Sequence, residues 1–202
     1  MKRLLSTRTA APLTLLPAAL LFLPQAALAH PGHGAATGAG AGFLHPLMGA
    51  DHVLAMVAVG LLASLRGGRA LWALPLSFLA LMCAGAGLGM SGVALPHVEA
   101  GIALSIVAFG LAAIVGLRAP VALLAALVGA FAVFHGYAHG TEMPETASGV
   151  AFGFGFLAAT ALLHAAGIGL GVAATRVGAM RAAPVLGAGL AAAGIALLAL
   201  PA

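Results

Sequence analysis

Two short segments hold six of the twelve histidines and acids in this sequence. One is His45-Pro46-Leu47-Met48-Gly49-Ala50-Asp51-His52, and the other is Phe134-His135-Gly136-Tyr137-Ala138-His139-Gly140-Thr141-Glu142. In the second, His135 and His139 are four apart and Glu142 follows three later, so on a helix all three share one stripe. An i, i+4 histidine pair with an acid one turn later lets imidazoles converge on an ion without distorting the backbone. In the first, His45 and His52 are seven apart, which puts them about 10.5 Å apart along a regular helix. Both reach one ion only if the segment bends, and Gly49 supplies freedom to bend. Pro46 suits the first turn of a helix opening here, where its missing donor costs nothing. Asp51 has two roles open to it: a hard anionic ligand, or an acceptor that holds an imidazole by its second nitrogen.

Nitrogen and carboxylate donors suit nickel, cobalt, zinc or copper(II), and do not suit the oxygen-only cages of magnesium and calcium. Cys83 is the single cysteine, so no thiolate pair favours copper(I) and no internal disulfide can form; it reads as a small buried residue. Imidazole must be neutral to ligate, so acid pH should weaken binding. A solitary histidine inside an apolar segment is more simply an interhelical hydrogen-bonding group. His97 and His164 take that reading, with a relay or deeper-ligand role left open for His164.

The elements that must carry these residues follow from composition. The chain has 202 residues, of which 63% are hydrophobic and only 6% charged, with a mean hydropathy of +1.17. A typical globular domain carries roughly 25% charged residues. Twelve charges cannot solvate a surface of this size, so a soluble domain is excluded, and so is a polar disordered chain. Nucleic-acid binding is excluded as well: Lys2, Arg3 and Arg8 lie in the first ten residues, leaving five arginines against four acids. No lysine follows Lys2, so the chain cannot build a Walker-type nucleotide site, and no ATPase subunit is indicated.

Residues 1–29 have the three parts of a secretory signal peptide: a basic start, the apolar run Leu13–Leu23, and the small-residue site Ala27-Leu28-Ala29. Pro12, Pro17 and Pro24 argue against an uncleaved first span. Residues 30–44 then form a periplasmic Gly/His-rich tail, in which His30 and His33 either hang free or capture metal weakly. Six apolar stretches follow, at about 45–65, 70–91, 98–117, 121–139, 149–174 and 183–201, each near the 20 residues that a bilayer requires. The expected architecture is therefore an all-α integral membrane protein, with residues 45–202 forming a six-helix transmembrane bundle after a cleaved signal peptide. Arg66, Arg69, Arg118, Arg176 and Arg181 all fall in turns one, three and five, whereas Glu99, Glu142 and Glu145 lie at turns two and four. The positive-inside rule puts the arginine turns in the cytoplasm. Both mature termini and both histidine segments then face outward. Small residues four apart at Gly85/Gly89, Gly149/Gly153 and Gly167/Gly171 mark close helix approaches.

At the two motifs the chain resembles the HupE/UreJ family, bacterial membrane proteins associated with hydrogenase and urease maturation and with nickel uptake. The matching segments are His45-Pro46-x-x-Gly49-x-Asp51-His52 and Phe134-His135-Gly136-x-Ala138-His139-Gly140-x-Glu142, preceded by His30-Pro31-Gly32-His33. The resemblance implies permeation of nickel, with cobalt as second cargo, and functional roles for the first-span His and Asp and the fourth-span His pair. The expected protein is a secondary nickel permease of the bacterial inner membrane. It is not an enzyme and has no prosthetic group. Its metal ligands are drawn from His45, Asp51, His52, His135, His139 and Glu142, and zinc is a further candidate ion. The leading alternative is an intramembrane zinc hydrolase using His135, His139, another histidine, Asp51 and a bound water. A metal sensor or assembly partner is the third.

Overall fold

The computed structural model describes residues 38–115, 119–143, 147–176 and 182–199. The signal peptide, the His30/His33 segment, Arg118, Glu145 and Arg181 lie outside the described residues. Seven helices are present among those described: α1 (Ala39–Met48), α2 (Ala50–Arg66), α3 (Ala70–Met90), α4 (Val98–Val115), α5 (Val121–Glu142), α6 (Ala147–Arg176) and α7 (Ala182–Leu198). No strand occurs among the described residues. Helices α3, α4, α5 and α6 are long and apolar enough to cross a membrane. The 17-residue α7 is shorter, and α1 and α2 meet at a bend of 89°. The fold is that of an all-helical, multi-pass membrane protein. The described part of each of the six apolar stretches is largely helical, and the first is broken in two.

That break differs from the sequence expectation in two ways. Helix α1 begins at Ala39, so residues 39–44, expected in the tail, are helical, and Pro46 sits in the last turn of a helix rather than the first. Small residues account for the earlier start: a side chain at Gly42 would strike the Phe152 backbone, and one at Gly155 would strike that of Ala39. Two glycines thus dock α1 against α6 at backbone distance. Pro46 cannot donate to the carbonyl of Gly42 four residues back, and the helix stops two residues later.

Around this break the bundle is ordered by glycine. Helix α2 lies at its centre, with Met56, Val59 and Leu62 fully buried among α3, α4 and α6. Helices α3 and α5 interlock: Gly85 faces Val133 and Gly89 faces Tyr137, while Gly136 and Gly140 face Met82 and Ala86. Gly60 of α2 meets His164 of α6, and Gly167 of α6 meets Val57 and Leu61 of α2. Gly110 and Gly187 bring α4 to α7. Such approaches replace the hydrophobic drive that lipid cannot supply with dispersion and weak backbone contacts. Gly153, expected to mark another close approach, makes none: the nearest atom to a Cβ there is the Met143 methyl at 3.8 Å. The outward faces remain apolar, with Trp72, Leu76, Leu111, Leu123, Phe154 and Leu170 exposed. Cys83, expected to be buried, is also on this outer surface.

The two ends of the bundle are chemically distinct. At one end Arg66 Nε donates to the Ala119 carbonyl at 3.2 Å, tying the α2–α3 turn to the start of α5. At the other, the Leu95 amide donates to the Tyr137 hydroxyl at 3.1 Å, fixing the α3–α4 connection to the end of α5. Both histidine motifs are at this second end.

The glycine contacts give a direct test. Gly136→Val places branched carbons against the Met82 carbonyl and should cost about 2 kcal/mol, as overpacking does. A Cβ added at Gly87 would meet nothing within 4 Å, and Gly87→Ala should leave stability unchanged or slightly raised. Thermal unfolding of the purified protein in detergent, followed by size-exclusion chromatography, checks both.

Candidate metal centre

The bend between α1 and α2 removes the separation that a straight helix would impose on His45 and His52. Gly49 has φ −96° and ψ 117°, extended values open to any residue, so the turn does not depend on glycine's conformational range. Its role is spatial. A Cβ there would lie 2.7 Å from Asp51 Oδ1 and 3.0 Å from His52 Nδ1. Glycine therefore leaves the space in which Asp51 and His52 pair across the first turn of α2. Asp51 also sits where the helix N-terminus favours negative charge.

His52 Nδ1 is 2.9 Å from Asp51 Oδ1. An ionised carboxylate only accepts, so this contact puts the ring proton on Nδ1 and leaves Nε2 as a lone-pair donor. Nε2 is buried and has no hydrogen-bond partner among the described residues. Of the two roles open to Asp51, the geometry displays the orienting one.

A similar device acts on His135. Ser105 Oγ donates to the Ile102 carbonyl at 2.6 Å and lies 3.0 Å from His135 Nε2. A hydroxyl has one proton, and here it is committed to Ile102, so Oγ accepts from His135 Nε2–H. His135 Nδ1 is left deprotonated, fully buried and without a partner. Sequence reasoning missed Ser105. A single serine in an apolar helix carries no motif, and its role appears only when α4 packs against α5.

His139, one turn nearer the end of α5, has both ring nitrogens buried and without a hydrogen-bond partner among the described residues. Its ring centroid is 4.9 Å from that of His45 and 4.5 Å from that of His52, and His52 is in turn 5.1 Å from His135. Glu142 Oε2 is 3.2 Å from His45 Nε2 and 3.9 Å from His139 Nδ1. One donor atom from each of His45, His139 and Glu142 falls within 4.8 Å of the others, a spacing from which three ligands can close on one ion. These three form an outer layer. His52, held by Asp51, and His135, held by Ser105, lie against it from within.

Phe152 and Phe156 of α6 wall the outer layer, with Phe156 4.2 Å from the His139 ring and Phe152 5.4 Å from His45. A cleft of about 230 Å³, lined by Met82, Met143 and both phenylalanines, reaches His139. The six residues expected to act together are thus brought to one region, from α1, α2 and α5. His97 stands apart, exposed in the α3–α4 connection with φ 59°. His164 is buried on α6 behind Phe78.

The architecture defines a class: helical membrane proteins with a histidine–carboxylate cluster where a broken first span meets the end of a later one. Comparison with known proteins agrees. The family model described as HupE / UreJ protein matches residues 18–197, and the chain belongs to that family. It is 45% identical over 181 residues to Protein HupE of Rhizobium leguminosarum bv. viciae, covering 89% of this chain and 94% of that relative. No solved structure matches the chain.

Two substitutions test how the donors are oriented. Ser105→Ala removes the acceptor that fixes the His135 tautomer and should weaken any divalent-cation binding at the cluster about 10-fold or more, as loss of an outer-shell partner does. Gly49→Ala should leave the unfolding temperature nearly unchanged but displace the Asp51–His52 pair, with a comparable loss of affinity. Titration calorimetry in detergent measures both.

Proposed function

We propose that this protein is a secondary permease carrying nickel, with cobalt as an alternative cargo, across the bacterial inner membrane to supply hydrogenase or urease maturation. One observation carries the reading: donors from α1 and α5, far apart in sequence, meet as His45, His139 and Glu142 within 4.8 Å. Membership of the HupE/UreJ family supports it. In this reading the bent α1–α2 pair counts as one span and α7 as the sixth. The arginine turns are cytoplasmic, and the cluster faces the periplasm beside both mature termini.

The entering ion exchanges hydration water for His45 and His139, and Glu142 offsets part of its charge. His52 and His135 offer the next nitrogens, each with its second ring nitrogen already hydrogen-bonded and its tautomer set. A mixed nitrogen and carboxylate set favours a late first-row divalent ion. Orientation by Asp51 and Ser105 reduces the reorganisation needed at each exchange. Permeation also requires that no one site hold the ion too tightly, and several partial donor sets in succession meet that condition. The energy comes from the metal gradient, a coupled proton or a partner. Neither the family nor the geometry adds support for the zinc hydrolase alternative.

Purified protein in proteoliposomes should admit Ni2+ with no soluble partner, and His139→Ala should abolish that uptake. In cells at limiting external nickel, the same substitution should abolish nickel-dependent enzyme activity. Normal accumulation in His139→Ala would overturn the reading. Uptake should also fall as the external medium is acidified, because protonated imidazoles cannot ligate. Initial rates across an external pH series check the direction.

A further inference from the structure

We propose that His164 and Thr160 of α6 form an interior station for the same class of divalent cation, deeper in the bundle than the outer cluster. The inference rests on the permease reading and supplies it with a next binding position. His164 is 1% exposed and Thr160 is fully buried. Both His164 nitrogens and the Thr160 hydroxyl lack any hydrogen-bond partner among the described residues. Buried polar groups in folded proteins are nearly always satisfied, so three unpartnered atoms on adjacent turns of one helix call for a ligand.

Thr160 does not take the usual way out for a buried threonine. Thr141 and Thr175, the other two described threonines, each donate to the carbonyl three residues earlier, to Ala138 and Val172. Thr160 makes no such bond. Spacing of four places Thr160 and His164 on one stripe of α6, so their donor atoms are neighbours along the helix. Gly60 seats the α2 backbone against the His164 carbonyl, so α2 packs directly on α6 at this level.

The position also continues a sequence of donors. Phe156, beside His139, precedes His164 by eight residues, or about 12 Å of helix. His135 is one turn below His139 on α5, and the Phe78 ring packs against both His135 and His164, with centroids 5.4 Å and 5.1 Å away. An ion leaving His135 and moving inward past Phe78 meets His164 next. One imidazole and one hydroxyl, completed by water, is a sparse set, and sparse coordination suits a site an ion must leave. The donor types select a late first-row divalent cation over magnesium or calcium.

The test uses Co2+ as a spectroscopic probe in the full-length protein carrying Cys83→Ser, so that no native thiol contributes. Adding His164→Cys should produce, on Co2+ loading, a near-ultraviolet thiolate-to-cobalt charge-transfer band absent from the Cys83→Ser parent. A folded His164→Cys protein without that band overturns the proposal. His164→Gln and Thr160→Val, which keep volume, should each lower Ni2+ flux into proteoliposomes at least ~10-fold with unchanged unfolding temperature. Parental flux in both would also overturn it. The two readings fail separately: a parent that binds Co2+ but passes no Ni2+ sinks the permease, whereas a parent that passes Ni2+ with no band in the cysteine variant sinks only the interior station.

Discussion

The constraint on which the rest depends is the cost of keeping imidazoles neutral, buried and oriented among apolar helices. A charged side chain such as Asp at membrane depth costs about 2.5–3.5 kcal/mol on insertion scales, and each unpaired buried polar atom of a neutral ring costs about 1–3 kcal/mol. This chain gathers His45, His52, His135 and His139 into one region and gives the two inner rings a single fixed partner each, Asp51 and Ser105. The opposite nitrogens stay unpaired. An interaction that served stability alone would satisfy both sides of the ring. Satisfying one side fixes the tautomer and leaves the other available, which suits a site that exchanges its guest.

Such an arrangement needs backbones close enough to bring short side chains together, and the glycines provide it. In the second motif, His135 and His139 face the cluster, while Gly136 and Gly140, each one residue on, press against Met82 and Ala86 of α3. The segment is therefore two stripes at once, a ligand stripe and a packing stripe, displaced by about 100° around the same helix. Gly49 works differently. It provides room for a hydrogen bond between its neighbours rather than permitting an unusual backbone.

Much of this was legible in the sequence because both signals are local. The i, i+4 spacing of His135 and His139 and the run to Glu142 set the stripe on α5, and the demand that His45 and His52 converge required a bend near Gly49. Composition alone pointed to an all-helical membrane protein. The remainder depends on tertiary packing. The helical state of residues 39–44 comes from docking on Phe152 and Gly155, far away in the chain, and a Gly-rich stretch with no partner reads as a tail. Ser105 has no signature until α4 lies beside α5. Gly153 belongs to a pair spaced like Gly85 and Gly89, and only the contact geometry tells which of these glycines meets a neighbouring backbone. Cys83 is exposed and lines the cleft that reaches His139, because the α3 surface toward α5 is already taken by Met82, Gly85 and Gly89.

Glycine-on-carbonyl contacts also limit how the bundle can move. Helix α5 cannot piston along α3, because the interlocked glycines would have to climb over whole turns of backbone, and α1, α2 and α6 are clasped in the same way. These become two blocks. One carries His135, His139 and Glu142; the other carries His45, Asp51, His52 and His164. Sliding or tilting of one block against the other leaves each helix and the Asp51–His52 pair intact, yet takes the coordination sphere apart along the seam between them.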